Sequence, residues 1–247
     1  MEADRHLLPY MSFLLQDLWA LGSSVDYIED IVGSLDLPPN VTRVLDLGCG
    51  KGAVSINIAS RFGFKVVGID LMFAFLEDAR KKADEHHVSH LCQFINQDII
   101  AYVSVEHGFD LVVLASLGGV FGSFENTIAK LRTKVRSGGY MLVDDGYLRE
   151  AISINRKGYR HYRNHKDTIK ELTAFNDLLL EEINTTDLSL NINHEYLNAI
   201  RKRGSELVDK YPELEDDIRT YIRLQAEECD LIKNKMEGAL WLLQKGI

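Results

Sequence analysis

The sequence reads as a doubly wound α/β sheet, on three observations. Short runs rich in valine, isoleucine and leucine recur between residues 43 and 143. Segments with apolar residues at helical spacing separate them. Three alternating glycines, Gly48, Gly50 and Gly52, sit between the first run and the first such segment. Apolar strands alternating with helices make a mostly parallel sheet covered on both faces, and right-handed crossovers then leave few strand orders. The expected architecture has seven strands, mostly parallel, with a closing antiparallel strand, an N-terminal helical lid and a C-terminal helical insertion.

Taken in order, residues 6–35 carry helical apolar spacing through Leu7, Tyr10, Met11, Leu14, Leu15 and Leu18, and again through Ile28, Ile31 and Leu35. Gly22-Ser23-Ser24 divides two helices, and Pro38-Pro39-Asn40 stops the second. Residues 43–47 form the first strand and 53–62 the helix after it, ended by Gly63. Further strands are expected at 65–69, 91–95, 109–114 and 140–143. Helices are expected at 73–85 and 123–136, the latter ended by Ser137-Gly138-Gly139. Residues 167–180 read as a helix capped by Asp167, and 180–192 as an extended segment through Ile183 and Leu188. Residues 193–235 are helical and charge-rich, broken at Tyr211-Pro212, and 238–245 close the sheet. The expected division is a lid over 1–40, an α/β core over 41–150 and a cap with final strands over 151–247, all within one domain.

The chain has 247 residues, 46% hydrophobic and 26% charged, enough apolar material for a sizeable core. Its net charge of −9 repels phosphate backbones and disfavours wholesale nucleic-acid binding. Cys49, Cys92 and Cys229 are far apart and form neither a zinc-type pair nor a disulfide framework. The start, Met-Glu-Ala-Asp-Arg-His, lacks the basic-then-apolar pattern of a secretory leader, and no apolar run approaches the ~20 residues that cross a bilayer. These features lead to the expectation of a reduced, cytoplasmic protein with no metal and no membrane span. They leave monomer and homodimer open. His86, His87 and His90 read as a solvated helix end, since no cysteine lies near them.

The most informative stretch is Val44-Leu45-Asp46-Leu47-Gly48-Cys49-Gly50-Lys51-Gly52. Glycines supply positive φ and let backbone approach a ligand closely, and the helix that follows offers free N–H groups and partial positive charge. Gly48, Gly50 and Ala53 also fit the dinucleotide-binding pattern G-x-G-x-x-A. However, Asp46 would face an anionic pyrophosphate unfavourably, whereas it suits a ligand's ammonium. Asp70, roughly twenty residues on, ends the second strand where an acid accepts hydrogen bonds from ribose hydroxyls.

On these residues the sequence resembles the class I S-adenosylmethionine-dependent methyltransferases. Their first motif, acid-x-G-x-G-x-G, stands as Asp46 to Gly52, and their ribose-binding acid corresponds to Asp70. The acid after their third strand looks like Asp98 in Asn96-Gln97-Asp98-Ile99. The fourth strand at 109–114 and the glycine-led fifth at 137–143 follow in order, so the resemblance covers about residues 41–145. It implies S-adenosylmethionine as cofactor and S-adenosylhomocysteine as product. The implied cofactor site is Asp46, Gly48, Cys49, Gly50, Gly52, Asp70, Leu71, Met72, Asp98, Ile99 and Ala115. Leu71, Met72 and Phe73 are apolar where relatives often carry a polar residue, which implies a greasy wall beside the adenine. Residues 115–122 lack the Asn/Asp-Pro-Pro-aromatic motif of enzymes that methylate exocyclic or amide nitrogens, and no Pro-Cys pair supports a cytosine-carbon mechanism.

Such a donor carries an electrophilic methyl, so the protein need only align a nucleophile and exclude water, with a base where the nucleophile must lose a proton. The acceptor pocket is expected over the ends of the fourth and fifth strands. Asp144 and Asp145 are the first base candidates, and strand alternation turns only one of them toward the pocket. His161 is the third; it lies in the basic, aromatic segment 156–166, whose Arg160 and Arg163 suit an anionic acceptor. Tyr10, Trp19 and Tyr147 are expected at the acceptor, and His6 shares a helix face with Tyr10. The reading is a methyltransferase with a small-molecule acceptor. Its alternatives are an RNA or protein methyltransferase working through 156–166, a non-catalytic S-adenosylmethionine-binding protein and, more distantly, an NAD-dependent oxidoreductase.

Overall fold

The structure, a computed structural model, describes residues 5–103 and 108–246. Residues 1–4, on which much of the leader reading rests, lie outside the described residues. A 3-10 segment over Arg5–Tyr10 leads into α1 (Met11–Leu14) and α2 (Val25–Ser34). Then come β1 (Arg43–Leu47), α3 (Ala53–Phe62), β2 (Lys65–Asp70), α4 (Phe73–Glu85), β3 (Cys92–Asn96) and α5 (Ile99–Tyr102). They are followed by β4 (Phe109–Ala115), α6 (Phe124–Arg132), β5 (Val135–Leu148), α7 (His165–Leu172) and β6 (Leu178–Asn184). Two long helices, α8 (Thr186–Lys210) and α9 (Glu215–Lys235), precede β7 (Met236–Gln244).

The seven strands form one sheet in the order β3-β2-β1-β4-β5-β7-β6. The pairs among β1 to β5 are parallel, and β7 runs antiparallel between β5 and β6. The order reverses between β1 and β4, and ligands of such sheets bind outside the strand ends at that point. Alternation along the strands builds two apolar layers. Val44, Val66, Leu111 and Leu142 pack with Ile28, Ile56 and Leu76 from α2, α3 and α4. Leu45, Val112, Met141 and Trp241 pack with Ile128 of α6 and Leu172 of α7.

A third cluster sits apart from the sheet. Leu7, Met11, Leu14 and Leu15 bury themselves against Ile200, Leu207, Ile218 and Tyr221 of α8 and α9. Arg203 adds a two-pronged ion pair to Asp17, at 2.5 and 2.7 Å. Two segments far apart in sequence thus make one lid.

Besides the short α5, which was not expected, and the largely 3-10 start, the structure departs from expectation in three places. First, α6 stops at Arg132, and Ser137-Gly138-Gly139 lies inside β5 instead of ending a helix. Gly139 is needed for close approach, since a Cβ there would stand 2.9 Å from the Asp110 carbonyl oxygen. Second, α7 begins at His165 and ends at Leu172, eight residues short of the expected end, and its cap is Asn164, whose side chain accepts the Asp167 N–H at 3.1 Å. Third, the extended segment is 178–184 and α8 begins at Thr186, which makes Leu188 helical. β6 is an edge strand exposed along most of its length, so it carries no alternation to read.

Candidate functional site

Gly48, Gly50 and Gly52 all take left-handed backbone, with φ of +72°, +52° and +75°. The turn is tied to β2: the N–H groups of Gly48 and Cys49 donate to the Ile69 carbonyl at 2.7 and 3.0 Å. Asp70 completes the tie. Its Oδ2 accepts the Gly50 N–H and its Oδ1 the Met72 N–H, each at 2.8 Å. Burial nonetheless holds this carboxyl above its ordinary range. Leu71, the next residue, and Ile100 in α5 are exposed apolar side chains, while Ile99 and Ala115 are buried. Asp98 caps α5, its Oδ1 accepting the Ile100 N–H at 2.9 Å. The ends of β1, β2, β3 and β4 therefore bring the expected cofactor residues to one lip of the sheet.

Asp46 and Cys49 face inward from that lip. Asp46 is 2% exposed, and its Oδ2 accepts the Ser55 hydroxyl at 2.6 Å. It thus anchors the first turn of α3, and burial pushes its carboxyl up to about 6. Cys49 is buried with its Sγ toward Gly68, where a Cβ would come within 2.8 Å of it.

The N-terminal segment closes over the turn. Trp19 Nε1 donates to the Lys51 carbonyl at 2.9 Å, and Lys51 Nζ to the Leu15 carbonyl at 2.7 Å. Ser116, just past β4, donates its hydroxyl to the Gly22 carbonyl at 2.8 Å. Leu21 and Ser116 both hold left-handed backbone without being glycines, φ +47° and +56°, a strain that accumulates at functional sites. Leu21 packs on Gly50, and Leu117 packs so closely on Gly48 that a Cβ there would overlap it.

Alternation splits the two acids at the end of the parallel part of β5. Asp144 turns toward α2, where it accepts the Ser24 N–H at 2.7 Å and the Ser24 hydroxyl at 3.3 Å. It is buried, pushed up to about 6, and fastens the lid. Asp145 points to the opposite face, accepts the Tyr162 hydroxyl at 2.6 Å, and is pushed by burial up to about 7. The Tyr162 ring lies 4.1 Å from that of His161. The Tyr162 hydroxyl lies 3.5 Å from where a Cβ of Gly118 would stand, and the His161 ring fills the space beside Gly119. Burial, helped by the charge of Arg163, lowers His161 to about 4, so the ring is neutral at physiological pH.

Segment 156–166 thus delivers Tyr159, His161 and Tyr162 inward and Arg160 and Arg163 outward, while Arg156 turns in against α9. Arg160 is exposed and bonded to Asn155 at 2.9 Å. Arg163 donates to the carbonyls of Arg160 and Tyr162 and lies 3.8 Å from Glu171. Tyr147 donates to Glu237 at 2.8 Å, Tyr10 packs on Tyr211 in the lid core, and His6 lies 3.6 Å from Asp217. Tyr147 and Arg163 do lie at the end of β5, where the Leu148 N–H donates to the Arg163 carbonyl at 2.8 Å, whereas Arg160 stands at the surface and Tyr10 in the lid core. Sequence reasoning missed Ser24, Leu117 and Tyr162; the alternation of rings and arginines from Tyr159 to Arg163 was the one available signal. Among the described residues, no group of three or more His, Cys, Asp or Glu side chains could hold a metal, and no helix is long and apolar enough to cross a membrane.

A glycine turn at the point of strand-order reversal, with an acid at the next strand's end, defines a Rossmann-like cofactor-binding fold. The sequence matches the methyltransferase-domain family over residues 40–204, and the chain belongs to that family. Uncharacterized protein YjhP of Escherichia coli K12 is 32% identical over 109 residues, 44% of each chain. The malonyl-[acyl-carrier protein] O-methyltransferase of Priestia megaterium is 29% identical over 100 residues, 40% of this chain and 35% of that protein. The chain thus matches less than half the length of these curated relatives. An S-adenosylmethionine-dependent methyltransferase from Thiobacillus denitrificans, crystallised with S-adenosyl-L-homocysteine, shares the fold at a TM-score of 0.79. Its sequence is 19% identical, with 98% of this chain and 99% of that one covered.

The fit of Leu117 on Gly48 leads to an expected outcome. Gly48→Ala strains the left-handed backbone by about 1–2 kcal/mol and forces Leu117 aside. S-adenosylhomocysteine affinity should fall about tenfold or more by calorimetry, and Leu117→Ala in the same chain should restore part of it. An unchanged affinity in the single variant removes Gly48 from the cofactor site.

Proposed function

We propose that the protein is an S-adenosylmethionine-dependent methyltransferase that acts on a small molecule by direct in-line transfer. The observation that carries this is the Asp70 cradle: one carboxylate fixes the left-handed glycine turn and the start of α4 while standing at the end of β2, with Leu71 next to it and Ile100 in α5 exposed. Those two side chains suit the faces of a flat base, and Asp70 suits ribose hydroxyls. Asp46, Asp70, Asp144 and Asp145 have no cationic partner among the described residues, and the field they make favours a ligand bearing sulfonium and ammonium groups. The relative crystallised with S-adenosyl-L-homocysteine supports the same ligand.

The bound donor supplies an electrophilic methyl on a positively charged sulfur. The chain's own residues do the rest. The lid, held by Asp144 and Ser24, excludes water. The turn 117–119, backed by His161 and Tyr162, borders the acceptor. Asp145 takes the acceptor's proton, where it has one, while Tyr162 fixes the carboxylate's direction. The acceptor's lone pair forms the bond to the methyl carbon as the carbon–sulfur bond breaks, and that electron pair stays on sulfur.

Calorimetric titration of the purified protein with S-adenosylmethionine, S-adenosylhomocysteine and NAD tests this reading. Binding of the first two without NAD is the expected result. Failure of both adenosyl compounds to bind overturns it.

A further inference from the structure

Between the N-terminal segment and α8 lies a cavity of about 250 Å³. Leu18, Leu21 and Ile192 give it apolar walls and Trp19 and Tyr196 aromatic ones, with the acids Asp17 and Glu195 also in its lining. The cavity adjoins the end of the sheet. Gly22, in its wall, carries the carbonyl that accepts from Ser116, and a Cβ on Gly22 would stand 3.4 Å from that of Ser116.

The charges around it are unevenly matched. Asp17 is neutralised, gripped by Arg203 and lying 3.5 Å from Lys202. Arg203 is in turn shared with Glu206. Glu195 makes no hydrogen bond or ion pair among the described residues, and its side chain is exposed. The arginines of segment 156–166 are committed elsewhere: Arg160 and Arg163 as described above, and Arg156 to the Leu224 carbonyl and Glu228. On the β5 side, Asp145 is met only by neutral donors. Lys82, over the Trp19 ring, is paired with Glu85, so a carboxylate or phosphate entering here meets Glu195 and, among the described residues around the cavity, cations already paired with acids. An ammonium meets Glu195 and an aromatic lining, both favourable to a cation.

We propose, building on the methyl-transfer reading, that this cavity admits the methyl acceptor on its way past Gly22 and Ser116 to the turn 117–119, and that the acceptor is an amine with a small apolar body, entering as its ammonium and giving one proton to Asp145 before its nitrogen lone pair takes the methyl. The volume lies near the small end of ligand pockets, about 300 Å³, and the leucines and Ile192 cover the hydrocarbon part. The ligand chemistry is therefore the reverse of the anionic acceptor that Arg160 and Arg163 suggest.

The test uses three probes of one shape and different charge: isoamylamine, isoamyl alcohol and isovalerate. Each is titrated into the full-length protein, with and without S-adenosylhomocysteine, while the backbone amide resonances of Leu21, Gly22 and Tyr196 are followed by NMR. The amine should shift these signals saturably and isovalerate should not. Glu195→Gln should weaken the amine about fivefold and leave S-adenosylhomocysteine affinity unchanged. Isovalerate binding as tightly as the amine, no saturable shift with the amine, or an unchanged amine affinity in Glu195→Gln each overturns the proposal. Failure of S-adenosylhomocysteine to bind counts against the methyl-transfer reading, while the charge preference of the cavity is still read on the free protein.

Discussion

Asp70→Ala is expected to weaken S-adenosylhomocysteine binding about a hundredfold or more in a protein that remains folded. The carboxylate accepts the N–H groups of Gly50 and Met72, so its loss frees the glycine turn and the first residues of α4 together. It also removes the acceptor proposed for the ribose. Hydrogen bonds to a charged group contribute about 1.5–3 kcal/mol each, so the loss of two ribose contacts exceeds a hundredfold even at the lower figure. Asp70 is only partly buried, and the sheet beneath it packs through Ile69 and Leu47, which stay in place. Calorimetry on samples with matched melting curves checks this. Wild-type affinity in the alanine variant removes the cradle from the proposed function.

The second large effect is on stability against pH. Asp46 and Asp144 sit at about 6 and Asp145 at about 7, all raised chiefly by burial above the ordinary 3.8. Between about pH 4 and pH 7 the folded protein holds protons that the unfolded chain has already released. The stabilisation from these groups is therefore complete below the unfolded value and is lost as pH rises through the folded ones. The fully buried Asp46 and Asp144 each account for about 3 kcal/mol at most. Urea midpoints should fall from about pH 4.5 to about pH 7.5. Asp46→Asn, which keeps an acceptor for Ser55, should flatten the slope by about a third. A flat wild-type profile, or the same slope in the variant, contradicts this account.

The core of the fold was legible because its signals are local. β1, the glycine turn and α3 follow one another within twenty residues, and Asp70 sits where the second run of valines and isoleucines ends. What was not legible depends on partners distant in sequence. Nothing near Asp144 indicates that Ser24, 120 residues away, takes its carboxylate. Nothing near Asp46 distinguishes a ligand's ammonium from the Ser55 hydroxyl. The basic segment was read by composition, but direction decides its role. Alternation in a short irregular stretch sends Tyr159 and Tyr162 to the core and Arg160 and Arg163 to the surface. β6 gave no alternation because an exposed edge strand has no buried face to alternate with, and Gly139 looked like a helix stop because close backbone approach and helix termination call for the same residue.

The helical pair α8–α9 leaves the sheet at the end of β6 and returns at the start of β7, its neighbour. The departure and return are clamped: the Thr185 N–H donates to the Gly238 carbonyl at 2.9 Å, and the Gly238 N–H to the Thr186 hydroxyl at 3.1 Å. Geometrically, the whole excursion is an overgrown hairpin loop. Its length and sequence can drift without moving the register of any strand, since extra residues between fixed ends cost little closure entropy. Donor and acceptor recognition can therefore evolve on separate schedules: the glycine turn belongs to the rigid frame, and the wall formed by Ile192, Glu195 and Tyr196 belongs to a replaceable cassette.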